Sequence, residues 1–416
     1  MVNCKLLNCK IKLVVLDDDP TGIQTVHGCK LITDWSESSV RMAFDDDVPF
    51  FYMLTNTRAM TRDDAERVMR EAMETVVHVN EDYHLQLVCV SRSDSCLRGH
   101  FPLEPQVMME VLTQHGYHVR KQIPFVPAFI EAGRVTIDGV HYMKDGERLV
   151  PVSETEFARD NVFAYHTSVL KDYILEKGAQ PNDYQIVNAA SYNELYTFCT
   201  TLEEELATAT HEKEAVVVRS SSSFPKAMSG IADRPLLDRT MLKRQEGVGC
   251  FVVGSHVNKT TRQLKALLAE KGTKGVEVDV LRILHEPDAM MQDVVDELND
   301  AVRKGLTPVV YTSRKELRID DANQRQHLGQ QVSDFLVDIV RHLPFTPTYL
   351  VGKGGITSND ILTKGLSVRI ATVMGQIVAN VPCVMTDRFP YIIFPGNVGN
   401  DESLREVFLK LTTNSH

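Results

Sequence analysis

Residues 91–99 read Ser-Arg-Ser-Asp-Ser-Cys-Leu-Arg-Gly and follow directly on the apolar run 85–90. Two guanidiniums (Arg92, Arg98), one carboxylate (Asp94) and the small hydroxyls of Ser93 and Ser95 meet there. Such a set suits a small polyhydroxylated anion: arginine forks grip a carboxylate or phosphate, and Asp94 accepts sugar hydroxyls. A single loop of this kind is more often a solvated, self-paired turn, but two other apolar runs end in similar chemistry. Residues 12–16 lead into Asp17-Asp18-Asp19-Pro20-Thr21-Gly22. Like charges in sequence raise one another's pKa, and Pro20 with Gly22 marks a tight turn. An Asx turn or a helix cap accounts for Asp19, yet not for three carboxylates at the end of one buried strand. Residues 48–54 lead into Thr55-Asn56-Thr57-Arg58. Thr55 or Thr61 can cap the helix read over 62–79, which leaves Arg58 free to point toward the same crevice.

These motifs need strand ends to hold them. Strand-like runs recur at 11–16, 48–54, 85–90, 122–126, 184–188 and 215–219, with helical patterns at 62–79, 103–115, 167–178 and 192–208. That alternation predicts a mostly parallel sheet flanked by helices, and such sheets bind ligands at the carboxyl ends of their strands. Residues 127–165 break the rhythm and read as loops of the pocket, with Arg134, Asp138, His141 and Lys144 as substrate contacts. Beyond the serines at 220–223 a stretch without periodicity places the domain boundary near residue 245. A second series follows, with strands near 250–253, 276–280, 307–312, 347–351 and 381–385 and helices near 259–271, 287–304 and 326–342. The expected fold is therefore α/β, with domains 1–244 and 245–416, each built on a mostly parallel sheet, and a ligand cleft between them.

The second half carries three glycine-rich turns. Gly254-Ser255-His256 follows one strand, and Gly352-Lys353-Gly354-Gly355-Ile356-Thr357-Ser358 follows another. The third, Pro395-Gly396-Asn397-Val398-Gly399-Asn400, precedes the last helix. Glycine lets the backbone approach an anion, and a following helix offers free N–H groups. Ser358 and Thr357 add hydroxyls, Lys353 could add charge, and the Gly396 turn could clamp a base or ribose. Neither the Walker A spacing nor Gly-x-Gly-x-x-Gly is present. Any one of these turns is commonplace; three in one domain point to a nucleotide.

Composition narrows the partners. A net charge of −11 without a basic run argues against nucleic acid. No apolar stretch approaches the ~20 residues that span a bilayer. The opening Met-Val-Asn-Cys-Lys lacks a secretory pattern. Eight scattered cysteines without a Cys-x-x-Cys pair suit reduced, buried thiols in a cytoplasmic setting. Cys96, inside the first motif, reads as a small filler.

Together these residues resemble the four-carbon acid sugar kinase family, once known only as a domain of unknown function. The resemblance spans nearly the whole chain. It rests on Asp18-Asp19-Pro20-Thr21-Gly22, Asn56-Thr57-Arg58, Ser93-Asp94-Ser95-Cys96-Leu97-Arg98-Gly99, Gly254-Ser255, Gly354-Gly355-Ile356-Thr357-Ser358 and Gly396-Asn397-Val398-Gly399. It implies an N-terminal domain that binds a sugar acid, a C-terminal domain that binds ATP, and Mg²⁺-dependent phosphorylation of threonate, erythronate or 3-oxo-tetronate-type acids. By that resemblance Asp18, Arg58, Arg92, Ser93, Asp94 and Ser95 fall on acid-binding positions. Ser255, Gly354, Gly355, Ile356, Thr357 and Gly399 fall on ATP-binding positions. Asp19 and Arg98 join the first set, and Ser358 and Gly396 the second, by their place in the motifs. An acceptor hydroxyl must lose its proton as the phosphoryl group arrives, and Asp18 and Asp94 are the candidate bases. We assign Asp18 that role and give the substrate hydroxyls to Asp94. Two departures stand out: Ile356 occupies a position commonly acidic in the family, and the usual Asp-Asp-Leu-Thr-Gly turn has proline in third place. A homo-oligomer is compatible with the pattern.

Two rival readings remain at this level. Asp17-Asp18-Asp19-Pro20-Thr21 also fits the Asp-x-Asp-x-Thr loop of haloacid-dehalogenase-type phosphatases, with Asp17 as nucleophile and Asp19 as acid/base. That reading leaves 91–99 and the glycine-rich turns unexplained. The other, a nucleotide-gated sugar-acid sensor, would keep both pockets and lack turnover.

Overall fold

The run Ile11–Asp17, buried at every position, becomes β1 of the first half of the chain. Lys12 lies within it: its Nζ donates to the carbonyls of Phe44 (3.2 Å) and Val48 (3.1 Å), so the amine is hydrogen-bonded where it is buried. A computed structural model describes residues 10–242, 247–314 and 322–412, and it divides the chain into two units, Met1–Asp233 and Arg234–His416.

The other strands of the first unit are β2 (Lys30–Ile32), β3 (Phe50–Leu54), β4 (Gln86–Arg92), β5 (His118–Val119), β6 (Ile123–Val126), β7 (Arg134–Ile137), β8 (Val140–Asp145), β9 (Arg148–Pro151), β10 (Tyr184–Ile186) and β11 (Glu214–Ser220). In the main sheet they run in the order β10-β6-β11-β4-β1-β3-β2, all parallel, with β5 pairing beside β11. Helices Glu37–Phe44, Arg62–Tyr83, Leu103–Gln114, Leu170–Glu176, Tyr192–Ala207 and Ser223–Ser229 accompany it. Register decides the chemistry. Asp17 pairs with both Leu54 and Arg92, and Arg92 pairs with Ser220, so the motif-bearing strands end on one line.

Residues 127–165, expected as loops, instead contain the antiparallel sheet β7-β8-β9. Its strands β8 and β9 are half-buried or exposed except at His141, and the chain turns through Asp138 and the glycines at 139 and 146, all with positive φ. That pattern gave no continuous apolar run to read.

The second unit contains β12 (Cys250–Val253), β13 (Thr273–Val278), β14 (Thr307–Thr312), β15 (Leu350–Lys353), β16 (Ile370–Val378), β17 (Val381–Met385) and β18 (Pro390–Phe394). Their order is β16-β17-β18-β15-β12-β14-β13; the β16–β17 and β17–β18 pairs are antiparallel and the rest parallel. Sequence periodicity missed β16, whose burial alternates residue by residue, and β18, which a proline opens. Helices Asn258–Leu268, Val280–His285, Pro287–Arg303, Ala322–Arg341, Gly355–Asp360 and Ser403–Thr412 complete the unit. Residues from Arg234 onward belong here because Leu237 and Leu242 are buried in its core with Phe251, Val351 and Phe408, and the Leu237 amide donates to the Gln376 carbonyl at 2.7 Å. The boundary read near 245 falls at residues 243–246, outside the described residues.

No helix among the described residues is long and apolar enough to cross a membrane. Six cysteines, Cys29, Cys89, Cys96, Cys199, Cys250 and Cys383, are free and buried; Cys4 and Cys9 lie outside the described residues.

Candidate functional site

At the end of β1 the three consecutive aspartates separate. Asp17 turns inward, wholly buried, with one oxygen 3.1 Å from an Arg92 Nη and the other without a partner. Asp18, also buried, receives a two-pronged contact from Arg58, whose Nε lies 3.0 Å from Asp18 Oδ2. The Ser93 hydroxyl sits 2.9 Å from the same oxygen. Asp19 accepts from the Thr21 amide at 2.7 Å, the Asx turn that its sequence context allowed, and from Arg58 at 3.2 Å. Arg58, read as free to reach a substrate, is therefore the clamp that reconciles these carboxylates, and its Nη1 also lies 3.9 Å from Asp94. It points where it does because Asn56, left-handed at φ 53°, breaks the chain after β3, and Thr61 rather than Thr55 caps the next helix. Thr55 instead bonds the Asp17 carbonyl at 3.0 Å.

The 91–99 loop is held with equal closeness. Asp94 accepts from Arg98 Nε (2.9 Å) and from the Cys96 amide (3.1 Å). Arg98 also reaches Asp160 at 3.5 Å and stacks over Phe157, which restrains it to the loop rather than leaving its fork open. Arg92 Nη2 donates to Ser222 at 2.9 Å, while its buried Nε has no partner. The Ser95 carbonyl accepts from His141 Nε2 at 2.8 Å. His141, expected to touch substrate, is wholly buried and positions this loop from β8; burial lowers its pKa to about 4, so it is a neutral strut. Gly99 has φ +127°, and a Cβ there would lie 2.5 Å from Ser93 Oγ and 3.1 Å from an Asp18 oxygen. The carboxylate can be approached this closely only by glycine.

Beneath lies a layer that sequence reasoning missed. Glu104, from the helix after the loop, is buried and accepts from Thr57 (2.6 Å), Ser91 (2.9 Å) and Arg219. Arg219, one residue before the end of β11, donates to Ser91 at 2.7 Å. Ser221, Ser222 and Ser223, read only as a serine tract, are buried at this strand end; Ser221 Oγ has no partner, and Ser223 bonds Glu131 at 2.9 Å. Lys226 joins Glu131 (3.0 Å) to Asp233 (2.7 Å). A charged residue inside a helix or strand run carries no signal of its own; only its partners reveal it.

Electrostatics divides the aspartates. Burial drives Asp17 up to about 7 against the pull of Arg92, with Asp18 and Asp19 adding repulsion. Burial also opposes the charge on Asp94, but Arg58 and Arg98 outweigh it and hold that carboxyl at about 2. Asp19 stays low for the same kind of reason, Arg58 and Arg92 outweighing burial. For Asp17 the native state holds a proton that the unfolded chain gives up near its ordinary value of 3.8. Its contribution to stability is therefore full below about pH 4 and lost as pH rises through about 7. Asp17→Asn is expected to melt with less loss than wild type between these pH values, a relative gain on the order of 4 kcal/mol. Parallel pH series of urea melts read this directly, and identical pH slopes in the two proteins would contradict it.

In the second unit the three glycine-rich turns converge for the same registral reason: Val253 and Phe394 both pair with Lys353. The amides of Gly254 and Ser255 each lie 3.2 Å from the Lys353 carbonyl, and the Gly354 amide donates to the Phe394 carbonyl at 2.8 Å. Thr260 Oγ1 sits 3.0 Å from both Ser255 Oγ and the Gly396 carbonyl. Gln263 clasps the last turn through the carbonyls of Val398 (3.0 Å) and Asn400 (2.7 Å), around Gly399 at φ +84°. Gly354 has φ +121°, with Gly355 open beside it, Ile356 exposed, and Thr357 and Ser358 buried; Ser358 Oγ bonds the Gly352 carbonyl at 2.7 Å. Lys353, expected to lend charge to a ligand, is wholly buried, its Nζ held 2.6 Å from the Pro395 carbonyl above the Phe394 ring. Burial, with Lys259 adding repulsion, lowers its pKa to about 7, and it ties two turns together. Beside the turns opens a cavity of about 800 Å³, lined by Gly254, His256, Ser313 and Arg314 at strand ends, by Asn258, Thr261, Ile356 and Thr357 at the starts of the helices that follow, and by Val280, Leu328, Val332 and Leu336 from further helices.

Fold and sites thus define a two-domain α/β protein with a charged strand-end site in one unit and a glycine-lined cavity in the other. The family description "sugar-binding N-terminal domain" matches residues 13–221, and "nucleotide-binding C-terminal domain" matches residues 250–404. The chain belongs to the four-carbon acid sugar kinase family, which these two domains form. Its fold is that of a Haemophilus influenzae protein of DUF1537, 15% identical with a TM-score of 0.66, covering 96% of this chain and 100% of that one. A Salmonella typhimurium LT2 protein provisionally described as a tRNA synthase is likewise similar, 15% identical with a TM-score of 0.68 over 95% of this chain and 98% of that one. No curated protein matches the sequence.

Proposed function

We propose that the protein is an ATP-dependent kinase that phosphorylates a hydroxyl of a small sugar acid of the threonate, erythronate or 3-oxo-tetronate class. The observation that carries this reading is the Asp18 carboxylate, buried between Arg58 and Ser93 at a strand end of the sugar-binding domain. In this reading Asp18 takes the proton of the acceptor hydroxyl, and Arg58 and Ser93 hold it in one orientation. Asp94, kept ionised by Arg98 and Arg58, orients substrate hydroxyls, and the unpartnered Arg92 Nε and Ser221 Oγ offer donors for the acid. ATP occupies the cavity beside Ser255, Gly354, Gly355, Ile356, Thr357 and Gly399. The described cavity lining supplies hydroxyls and no carboxylate, so Mg²⁺ would be carried by the nucleotide's own phosphates and water. The phosphatase alternative fits less well: Asp17, its nucleophile, is sealed from solvent and paired with Arg92, and Asp19 is committed to Thr21.

A coupled spectrophotometric assay with ATP and Mg²⁺ over D- and L-threonate, D- and L-erythronate and their 3-oxo forms tests the proposal. A four-carbon acid is expected to turn over faster than glycerate or six-carbon aldonates. A hexonate well ahead of every four-carbon acid would overturn the substrate class alone. Phosphate release from sugar phosphates without ATP would overturn the kinase reading.

A further inference from the structure

Arg314 follows β14 and lines the cavity of the second unit. One of its Nη groups donates to the Ser255 carbonyl, which fixes the guanidinium against the first glycine-rich turn. Its Nε and second Nη are shielded from water and have no hydrogen-bond partner. No acidic side chain forms an ion pair with it among the described residues, whereas Arg58, Arg92, Arg98 and Arg219 all have one. A shielded cation with idle donors is unfavourable unless something anionic completes it. Burial lowers its pKa against weaker opposing pulls from Tyr311 and Glu277, the reverse of the shift at Arg58, Arg92 and Arg98.

Resting on the kinase reading above, we infer that Arg314 is the cation that receives the nucleotide's polyphosphate, its Nε and free Nη forming a fork for phosphate oxygens. Nε and Nη are the adjacent donors of a guanidinium edge, spaced for two oxygens of one phosphate. The cavity's other polar groups, among them Thr357, Ser313 and Asn258, are neutral, and partial burial and Arg314 itself shift the His256 pKa below its ordinary value. Arg314 therefore supplies the positive charge that distinguishes a nucleotide from a nucleoside.

Calorimetry with ATP, adenosine and inorganic tripolyphosphate on the full chain tests this in wild type, Arg314→Ala and Arg314→Lys. Arg314→Ala is expected to weaken ATP and tripolyphosphate by roughly 10- to 100-fold, the range of charge-assisted hydrogen bonds, and to leave adenosine unchanged. Arg314→Lys restores charge without the fork and should recover only part of the loss. Unchanged adenosine binding also reports that the variant is folded. ATP affinity within twofold of wild type, or equal loss for ATP and adenosine, would overturn the assignment. Wild-type protein that binds tripolyphosphate through Arg314 but not adenosine would retain the anion site and sink the nucleotide reading. Wild-type protein that binds none of the three would sink both.

Discussion

Asp18→Asn is expected to lower turnover by roughly 10²- to 10⁴-fold, the range ascribed to a positioned general base. Nucleotide affinity should stay within about twofold, because the second unit's turns make no use of this side chain. The amide is nearly isosteric, so Ser93 keeps an oxygen acceptor, but one prong of Arg58 meets an NH₂ group instead of a carboxylate oxygen. Leaving that guanidinium short of an acceptor also costs stability, and a lowered melting temperature should accompany the loss of rate. Rate measured at saturating sugar acid and ATP, well below the melting temperature, separates the two effects. A variant that retains a tenth or more of wild-type turnover there would move the base role away from Asp18.

Arg58→Ala carries the second large effect. Arg58 contacts Asp18, Asp19 and Asp94 together, so its removal takes a shared cation from all three and leaves Asp18 to Arg92 and Asp94 to Arg98. Breaking a shielded pair in this way costs about 3–5 kcal/mol. The Michaelis constant for the sugar acid should rise at least tenfold and that for ATP should not move; equal increases in both would indicate a folding role. Arg58→Lys should rescue poorly, since an ammonium cannot span the two oxygens of Asp18. The acid limb carries a further signature. Asp94 titrates at about 2 in the native protein, below its ordinary 3.8, so its stabilising contribution is present above about pH 4 and is lost as pH falls toward 2. Without Arg58 the native value of Asp94 moves upward, and acid unfolding should begin at higher pH than in wild type.

These expectations rest on features of unequal visibility in the sequence. The α/β class was legible because buried parallel strands are written as continuous apolar runs: β1, β3, β4, β6, β11, β12 and β14 lie where such runs predict them, within a few residues. The main sequence-based misses were β16, whose burial alternates, the β7-β8-β9 sheet, whose β8 and β9 bury only His141, and β18, which a proline opens. The motif positions were legible because polar residues at the end of an apolar run have few structural reasons to be there. Asp17 to Asp19, Arg58 and residues 91–99 do lie on one line of strand ends, and the turns at 254, 354 and 396 do meet.

What each side chain does was decided by tertiary structure. Arg58 and Arg98 read as open forks, yet Arg58 is engaged by Asp18 from 40 residues away, and Arg98 by Asp94 of its own loop and by Asp160, because such ion pairing leaves no periodic trace. His141 and Lys353 read as ligand contacts and became buried props, since burial depends on what packs above them and not on the residue type. Glu104 and Arg219 went unnoticed because their neighbours in sequence are ordinary helix and strand residues, and Ser222 was read only as part of a serine tract. Residue types and their spacing thus determined the family, the two domains and the loops that bear chemistry. The sheet register, by setting Asp17 beside Arg92 and Val253 beside Lys353, decided which charges cancel and which, at Arg92 Nε and Arg314, are left with open donors.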